Sequence, residues 1–301
     1  MKLLLAVLSH HQEQYAANMA GAISKLTMQP DKVLILLDRP TGSEMAASRL
    51  AYSNLPNAEV KLCMMLPKYI GRPQMLYGEE YFCAGNVRNI AIQYMLSNGY
   101  DAVIFIDGDC PPSSDLITSH VKTLSRETPV VTVGRRLETK WGNFDQREKS
   151  PEFPINIFRA TPYKVVEEPY FVDSGVVWTC NFGMNLPSVK YLREMNKTIY
   201  GRDEVFSSDF VGTWGGEDGF IGFECYYGGI DVIAVPRGGV HHMEHPRPER
   251  KYDHITFLDM LEERRQELLY LLALNGYDCA GHVYIPKETI IGDRSWQKSP
   301  R

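Results

Sequence analysis

The stretch Phe105-Ile106-Asp107-Gly108-Asp109-Cys110 sets two carboxylates one residue apart at the end of an apolar run, Ala102–Ile106. Like charges held that close repel each other, and a divalent cation relieves the repulsion. Hard oxygen donors suit Mg2+ or Mn2+. An ion so held can bridge a diphosphate and take up charge on a departing phosphate. Asp-Gly also builds ordinary turns, and a D-x-D spacing is common in any sequence, so the position at a strand end carries the reading. A second acidic group lies in Thr213-Trp214-Gly215-Gly216-Glu217-Asp218-Gly219. Its glycines permit close backbone approach, and Glu217 and Asp218 open a helix whose N-terminal dipole favours negative charge. One of these acids can remove a proton from an incoming hydroxyl while the other holds the acceptor. A third group, Val240-His241-His242-Met243-Glu244-His245, offers three imidazoles within five residues. One imidazole beside Asp109 makes a mixed nitrogen and oxygen site, which favours Mn2+ over Mg2+.

The elements that must position these groups can be read from the apolar pattern. Leu3–Leu8 and Lys32–Leu37 are uninterrupted apolar runs, as in strands covered on both faces. Glu59–Met64 and Ala102–Ile106 read as further strands, and Gln14–Leu26, Thr41–Tyr52 and Asn86–Ser97 as helices between them. This alternation predicts an α/β fold with a mainly parallel, Rossmann-like sheet flanked by helices. Ligands of such sheets bind beyond the carboxyl ends of the strands. Three strand ends carry polar residues, Ser9-His10-His11, Asp38-Arg39 and Asp107-Gly108-Asp109, and are expected to meet at one crevice.

Beyond residue 130 the pattern becomes irregular. Val130–Val133 and Asp231–Val235 read as strands, Phe171–Asn181 as β-rich, and Ser188–Met195 and Glu217–Tyr227 as helices. Residues 137–170 read as polar loops, and His254–Leu274 as a long helix with one apolar face. The expected organisation is a catalytic domain over 1–253, with a nucleotide-binding half (1–135) and an irregular acceptor half (136–253), followed by a C-terminal helix and tail (254–301).

The bulk numbers narrow the function classes. The 301 residues carry a net charge of −5 and are 44% hydrophobic and 23% charged, an ordinary globular balance that does not suggest a polyanion binder. The six cysteines form no C-x-x-C pair and read as free thiols in a reducing cytoplasm. The opening MKLLLAVLS is shorter than a signal-peptide core and reads as a first strand, and no run reaches the ~18–20 apolar residues a membrane span needs. Arg135, Arg136, Lys140, Arg147 and Lys149 cluster near Trp141 and Phe144. This could cradle a polyanion, although such runs are more often solvated loops.

Together these motifs resemble the GT-A glycosyltransferases. The likeness is to family-2-type enzymes and to the C-terminal region of galactosyltransferases shared with polypeptide N-acetylgalactosaminyltransferases and β-1,4-galactosyltransferases. Asp107-Gly108-Asp109 resembles the family's DxD, and Trp214-Gly215-Gly216-Glu217-Asp218 its WGGED motif. Gly85-Asn86-Val87-Arg88-Asn89-Ile90-Ala91 resembles its G-x-x-R-N-x-A helix, and His242 stands 25 positions after Glu217 (242 − 217). The resemblance implies a metal-dependent, inverting sugar transfer from a nucleotide-sugar donor, UDP-linked by expectation, to an acceptor hydroxyl. It implies Mn2+ (or Mg2+) on Asp109 and His242 with Asp107, which could hold ribose instead, and Asp218 as catalytic base beside Glu217. It also implies donor contacts from Ser9, Asp38, Arg88, Asn181 and Trp214. The acceptor stays open among glycans, small molecules and nucleic acid, including a modified DNA base. The alternatives are a sugar nucleotidyltransferase, disfavoured by SHHQEQ where a Gly-rich phosphate loop should stand, and a non-catalytic carbohydrate-binding protein.

Overall fold

The computed structural model describes residues 1–63, 84–139, 168–171, 177–208, 210, 216–243 and 254–275. The first half follows the expected alternation. β1 (Leu3–Ser9), β2 (Lys32–Asp38), β3 (Ala58–Cys63) and β4 (Ala102–Asp107) are parallel neighbours. Between them lie α1 (Ala16–Ser24), α2 (Gly42–Tyr52) and α3 (Ala84–Ser97). All seven residues of β1 are buried, which is what a strand central in a two-sided sheet requires. The helix expected from Gln14 begins instead with a 3-10 turn at Glu13–Tyr15.

The second half contains α4 (Leu116–Leu124), β5 (Val130–Thr139), β6 (Tyr170–Phe171), β7 (Asn181–Asn185), α5 (Leu186–Tyr200), α6 (Gly216–Tyr227), β8 (Asp231–Met243) and α7 (His254–Leu274). The sheet order is β3-β2-β1-β4-β7-β5-β8-β6. β7 runs against both β4 and β5, and β6 against β8, while the other six strands share one direction.

Several expectations are corrected here. Phe171–Asn181 does not form one β segment: among the described residues only Phe171 and Asn181 are strand, and the continuous strand starts at Asn181. Asn185 caps α5 by accepting the Ser188 N–H at 3.0 Å, so the helix starts at Leu186 with Pro187 in its first turn, where a missing N–H costs nothing. It continues to Tyr200 and stops at Gly201, which sits in the left-handed region. β5 and β8 each run far past the apolar stretches that marked them. The register jumps from Gly134↔Val235 to Arg135↔Gly239, a bulge that leaves Pro236, Arg237 and Gly238 out of the pairing. Their polar continuations pair as far as Thr139↔Met243.

Two apolar layers sandwich the sheet. Leu4, Ala6, Leu8, Val103 and Phe105 pack with α3, α5, α6 and α7 on one face. Leu3, Leu5, Val7, Ile104 and Ile106 pack with α1, α2 and α4 on the other. Period-two alternation along buried strands produces this division. Cys63, Cys110, Cys180 and Cys225 are free and buried, and no described helix is long and apolar enough to cross a membrane.

Candidate active site

The parallel register of β2, β1 and β4 places the polar strand ends side by side. Leu8 pairs with Asp107 and Asp38 with Cys63, so Ser9, Asp38 and Asp107 fall along the sheet's carboxyl edge. Gly108 is needed there. A Cβ on it would stand 3.0 Å from the Leu8 carbonyl oxygen and 3.1 Å from Ser9 Cβ, with the Gln12 amide oxygen nearer still. The loops after β1 and β2 each hold a non-glycine residue in the left-handed region, His11 (φ 54°) and Arg39 (φ 46°). Such backbone persists only where neighbours enforce it. In the β1 loop the holding group is Glu44 of α2, fully buried. Its Oε1 accepts from Ser9 Oγ at 2.8 Å and from the Gln12 N–H at 3.3 Å. Thr41 and Glu44 have the spelling of a capping box, and Thr41 Oγ1 does accept the Glu44 N–H. The carboxylate itself reaches across to the β1 loop, which local spacing could not reveal. Asp38 is buried beside His10, whose Nδ1 lies 3.5 Å from Asp38 Oδ2.

The corner around Asp109 is made by main-chain pairing. Past the bulge, β8 runs alongside the segment that follows Asp107: the His241 N–H donates to the Pro111 carbonyl (2.9 Å) and the Met243 N–H to the Asp109 carbonyl (2.8 Å). This short ladder brings His242 Nε2 to 3.5 Å from Asp109 Oδ2. Both residues are buried, and one ligand atom from each of Asp109, Cys110 and His242 lies within 4.8 Å of the others. His241, the next residue on the strand, points to the opposite face by the strand's alternation. His245 lies outside the described residues.

The third wall comes from α3 and α6. Gly85 lets α3 approach the 205–207 segment, since a Cβ would stand 2.7 Å from the Ser207 carbonyl oxygen. Asn89 fastens that segment, accepting the Phe206 N–H at 2.9 Å and donating to its carbonyl at 2.8 Å. Arg88, buried between them, donates to Glu217 Oε1 at 3.0 Å and to Asp107 Oδ1 at 3.2 Å, and lies 3.9 Å from Asp218 Oδ1. The G-x-x-R-N-x-A pattern thus resolves into a close-approach glycine, an acid-binding arginine, an anchoring asparagine and a core alanine, Ala91.

Electrostatics follow from this crowding. Burial pushes Glu217 up to about 7; Asp218 adds to the rise and Arg88 opposes it. Asp107 is raised to about 6 by burial, with Arg88 opposing and both Asp109 and Asp218 adding to the rise. Asp107 therefore stands close enough to both Asp109 and Asp218 to feel each charge. Burial pulls the Arg88 guanidinium down, but Asp107, Asp218 and Glu217 together outweigh it, so it stays charged. Asp218 keeps 27% of its side chain open and accepts from Thr179 Oγ1, whereas Glu217 keeps only 5%. Thr179 was not anticipated, and nothing in its local sequence distinguishes it.

Two residues expected to contact the donor have partners within the chain. The Asn181 side chain, 1% exposed, is occupied within the sheet. Its Nδ2 donates to the Arg135 (2.9 Å) and Gly238 (2.7 Å) carbonyls on either side of the bulge, and its Oδ1 faces His120 Nε2 at 2.9 Å. His120, fully buried with Nδ1 2.7 Å from Thr132 Oγ1, is lowered to about 4 by burial, with the Asn181 bond opposing, and so is neutral with its proton on Nε2. Asn181 thus holds the bulge that redirects β8. The Ser9 hydroxyl is likewise committed, to Glu44. Trp214 lies outside the described residues, as do Lys140, Trp141, Phe144, Arg147 and Lys149 of the basic stretch. Of that stretch, Arg136 stacks on Trp178, its Cζ 4.8 Å from the ring centroid.

No known family profile matches the sequence, and no curated protein does. Its fold has clear relatives among solved structures. A crystal structure of GalNAc-T7 with UDP, GalNAc and Mn2+ matches with TM-score 0.56 at 13% identity, over 91% of this chain and 48% of that one. A crystal structure of S. aureus TarS 1-349 in complex with UDP-GlcNAc matches with TM-score 0.53 at 14% identity, over 91% of this chain and 66% of that one. The chain spans less than half of the first and just under two thirds of the second. At such identities the likeness is one of architecture: the chain has the GT-A glycosyltransferase fold.

Proposed function

We propose that this chain transfers a sugar from a nucleotide-sugar donor, UDP-linked, to an acceptor hydroxyl, with inversion at the anomeric carbon. The observation that carries the reading is that His242 meets Asp109 at 3.5 Å while Arg88 joins Asp107, two residues before it, to Glu217 and Asp218. The UDP, UDP-GlcNAc and Mn2+ of the structurally similar proteins support the donor and the ion. A carboxylate and an imidazole 3.5 Å apart, with a second carboxylate nearby, fit an ion that accepts oxygen and nitrogen donors. When bound, Mn2+ supplies Lewis-acid neutralisation of the leaving diphosphate.

The chain's own groups do the remaining work. Asp218, partly open, takes the proton of the acceptor hydroxyl. Glu217, buried against Arg88, orients the helix start and the arginine rather than moving a proton itself. Asp38 and the β1 loop set by Ser9 and Glu44 form the nucleoside wall. With one placed base and no second nucleophile proposed, direct displacement inverts the sugar carbon. Arg136 over Trp178 is a cationic ledge for an acceptor that is a glycan, a small molecule or a nucleic acid.

The test is a thermal-shift screen of nucleotide sugars with and without Mn2+. Expected is stabilisation by one UDP-sugar that requires Mn2+ and disappears in Asp109→Ala. UDP affinity that is unchanged by Mn2+ in the wild type would refute the site.

A further inference from the structure

The metal corner contains sulfur as well as oxygen and nitrogen. Cys110, fully buried, donates its thiol proton to Asp109 Oδ1 at 3.3 Å. Its sulfur belongs to two sets of mutually close ligand atoms, one with Asp109 and His242 and the other with Asp107 and Cys180, each spanning no more than 4.8 Å. Zn2+ binds sulfur at about 2.3 Å and carboxylate oxygen at about 2.1 Å in a tetrahedron, which puts neighbouring ligand atoms roughly 3.3–3.6 Å apart. Cys110 Sγ lies 3.3 Å from Asp109 Oδ1 and His242 Nε2 3.5 Å from Asp109 Oδ2, so the two partners flank the carboxylate from its two oxygens, and a small rotation of that group brings one oxygen, the sulfur and the imidazole to such spacing.

We infer that this corner is also a site for a thiophilic divalent ion of the zinc or cadmium class, held by Cys110 Sγ, Asp109 and His242. On binding, the metal–sulfur bond forms and the thiol proton leaves to solvent. A hard ion such as Mn2+ gains little from sulfur, whereas a soft one gains most there. The same pocket therefore discriminates between ion classes through a residue outside the D-x-D pair. The inference shares Asp109 and His242 with the proposed reaction and rests on that reading only for what displacement of Mn2+ would do.

The probe is Cd2+ or Co2+ alone, titrated into the metal-free, reduced full chain while following thiolate-to-metal charge-transfer absorption, with calorimetry in parallel. Expected is a charge-transfer band saturating at about one equivalent, lost in Cys110→Ser and kept in Cys180→Ser. Cd2+ affinity should fall at least ~10-fold in Cys110→Ser, while Mn2+ affinity changes less than about threefold. A wild-type chain showing no band, or a band that survives Cys110→Ser, overturns the site. The read-out is independent of turnover. A band in a protein that uses no UDP-sugar would sink the proposed reaction and leave this site standing, and Mn2+-dependent transfer without a band would do the reverse.

Discussion

At the scale of single residues, the division of labour between Glu217 and Asp218 is the feature most open to test. The two acids are adjacent on α6, yet one is sealed against Arg88 and the other stays accessible. Asp218→Asn should lower kcat by about 10²–10⁴ while leaving UDP affinity near the wild-type value. Turnover near normal would remove Asp218 as base. Glu217 makes a different prediction. Its folded-state pKa, about 7, lies above the ordinary 4.5, so between those values the folded chain binds more proton than the unfolded one. The associated stability is complete below the ordinary value and lost as pH rises through the folded one. Melting of the metal-free wild type should therefore drop from about pH 5 to about pH 7.5, and Glu217→Gln should reduce that slope to the part that Asp107, raised to about 6, contributes. A parallel slope in both proteins would place the proton elsewhere. The D-x-D pair, the acidic helix start and the run of imidazoles were legible because each is a local spelling; that His242 is the one facing Asp109 was not, because it depends on how β8 pairs. Glu44, Thr179 and His120 were not, because each acts on a partner at least 12 residues away: Glu44 on Ser9, Thr179 on Asp218 and His120 on Thr132 and Asn181.

At the scale of elements, β8 is the part that assembles the site. Its apolar half, Asp231–Val235, announces a strand, but its working half, Gly239–Met243, lies beyond a bulge that the apolar pattern does not mark. Sequence periodicity reports burial on a face, and a bulge resets the face. The bulge is fastened by Asn181, in contact with the backbone at Gly134, where a side chain would collide with it. Asn181→Ala removes the side-chain partner of the Arg135 and Gly238 carbonyls and of the His120 Nε2 proton, costing about 1–3 kcal/mol of stability. It should also weaken Mn2+ binding roughly tenfold by calorimetry, as loss of a support behind a ligand does. Unchanged Mn2+ affinity would mean that the ligand does not depend on the bulge. The short reading of β5 and the displaced reading of residues 171–181 fail for the same reason, since ladder pairing with distant strands extends or withholds structure regardless of local composition.

For the molecule as a whole, the two-faced sheet was readable, because continuous apolar strands demand cover on both sides. The order β3-β2-β1-β4-β7-β5-β8-β6 was not, since the places of β7 and β5 rest on pairings among strands far apart in the chain. The outer cover matters to the site through α7, which buries Leu268 and Leu272 against the layer containing α6. Arg265, 1% exposed, donates to Tyr227 Oη at 2.8 Å and to Glu262, joining α7 to the far end of the helix that begins with Glu217. Arg265→Ala should cost about 2 kcal/mol in denaturant unfolding through lost packing and the lost hydrogen bond to Tyr227, with UDP affinity at low temperature within about twofold of wild type. A large affinity loss without destabilisation would show that α7 acts on the site directly. The ladder between β8 and the 109–111 segment has a further consequence. Its bonds run from the amides of His241 and Met243 to the carbonyls of Pro111 and Asp109, groups every residue type supplies on at least the accepting side. The spacing between aspartate and imidazole is thus written in main chain. Replacements at 111 keep the accepting carbonyl, so the side chain there can change while Asp109 and His242 stay face to face.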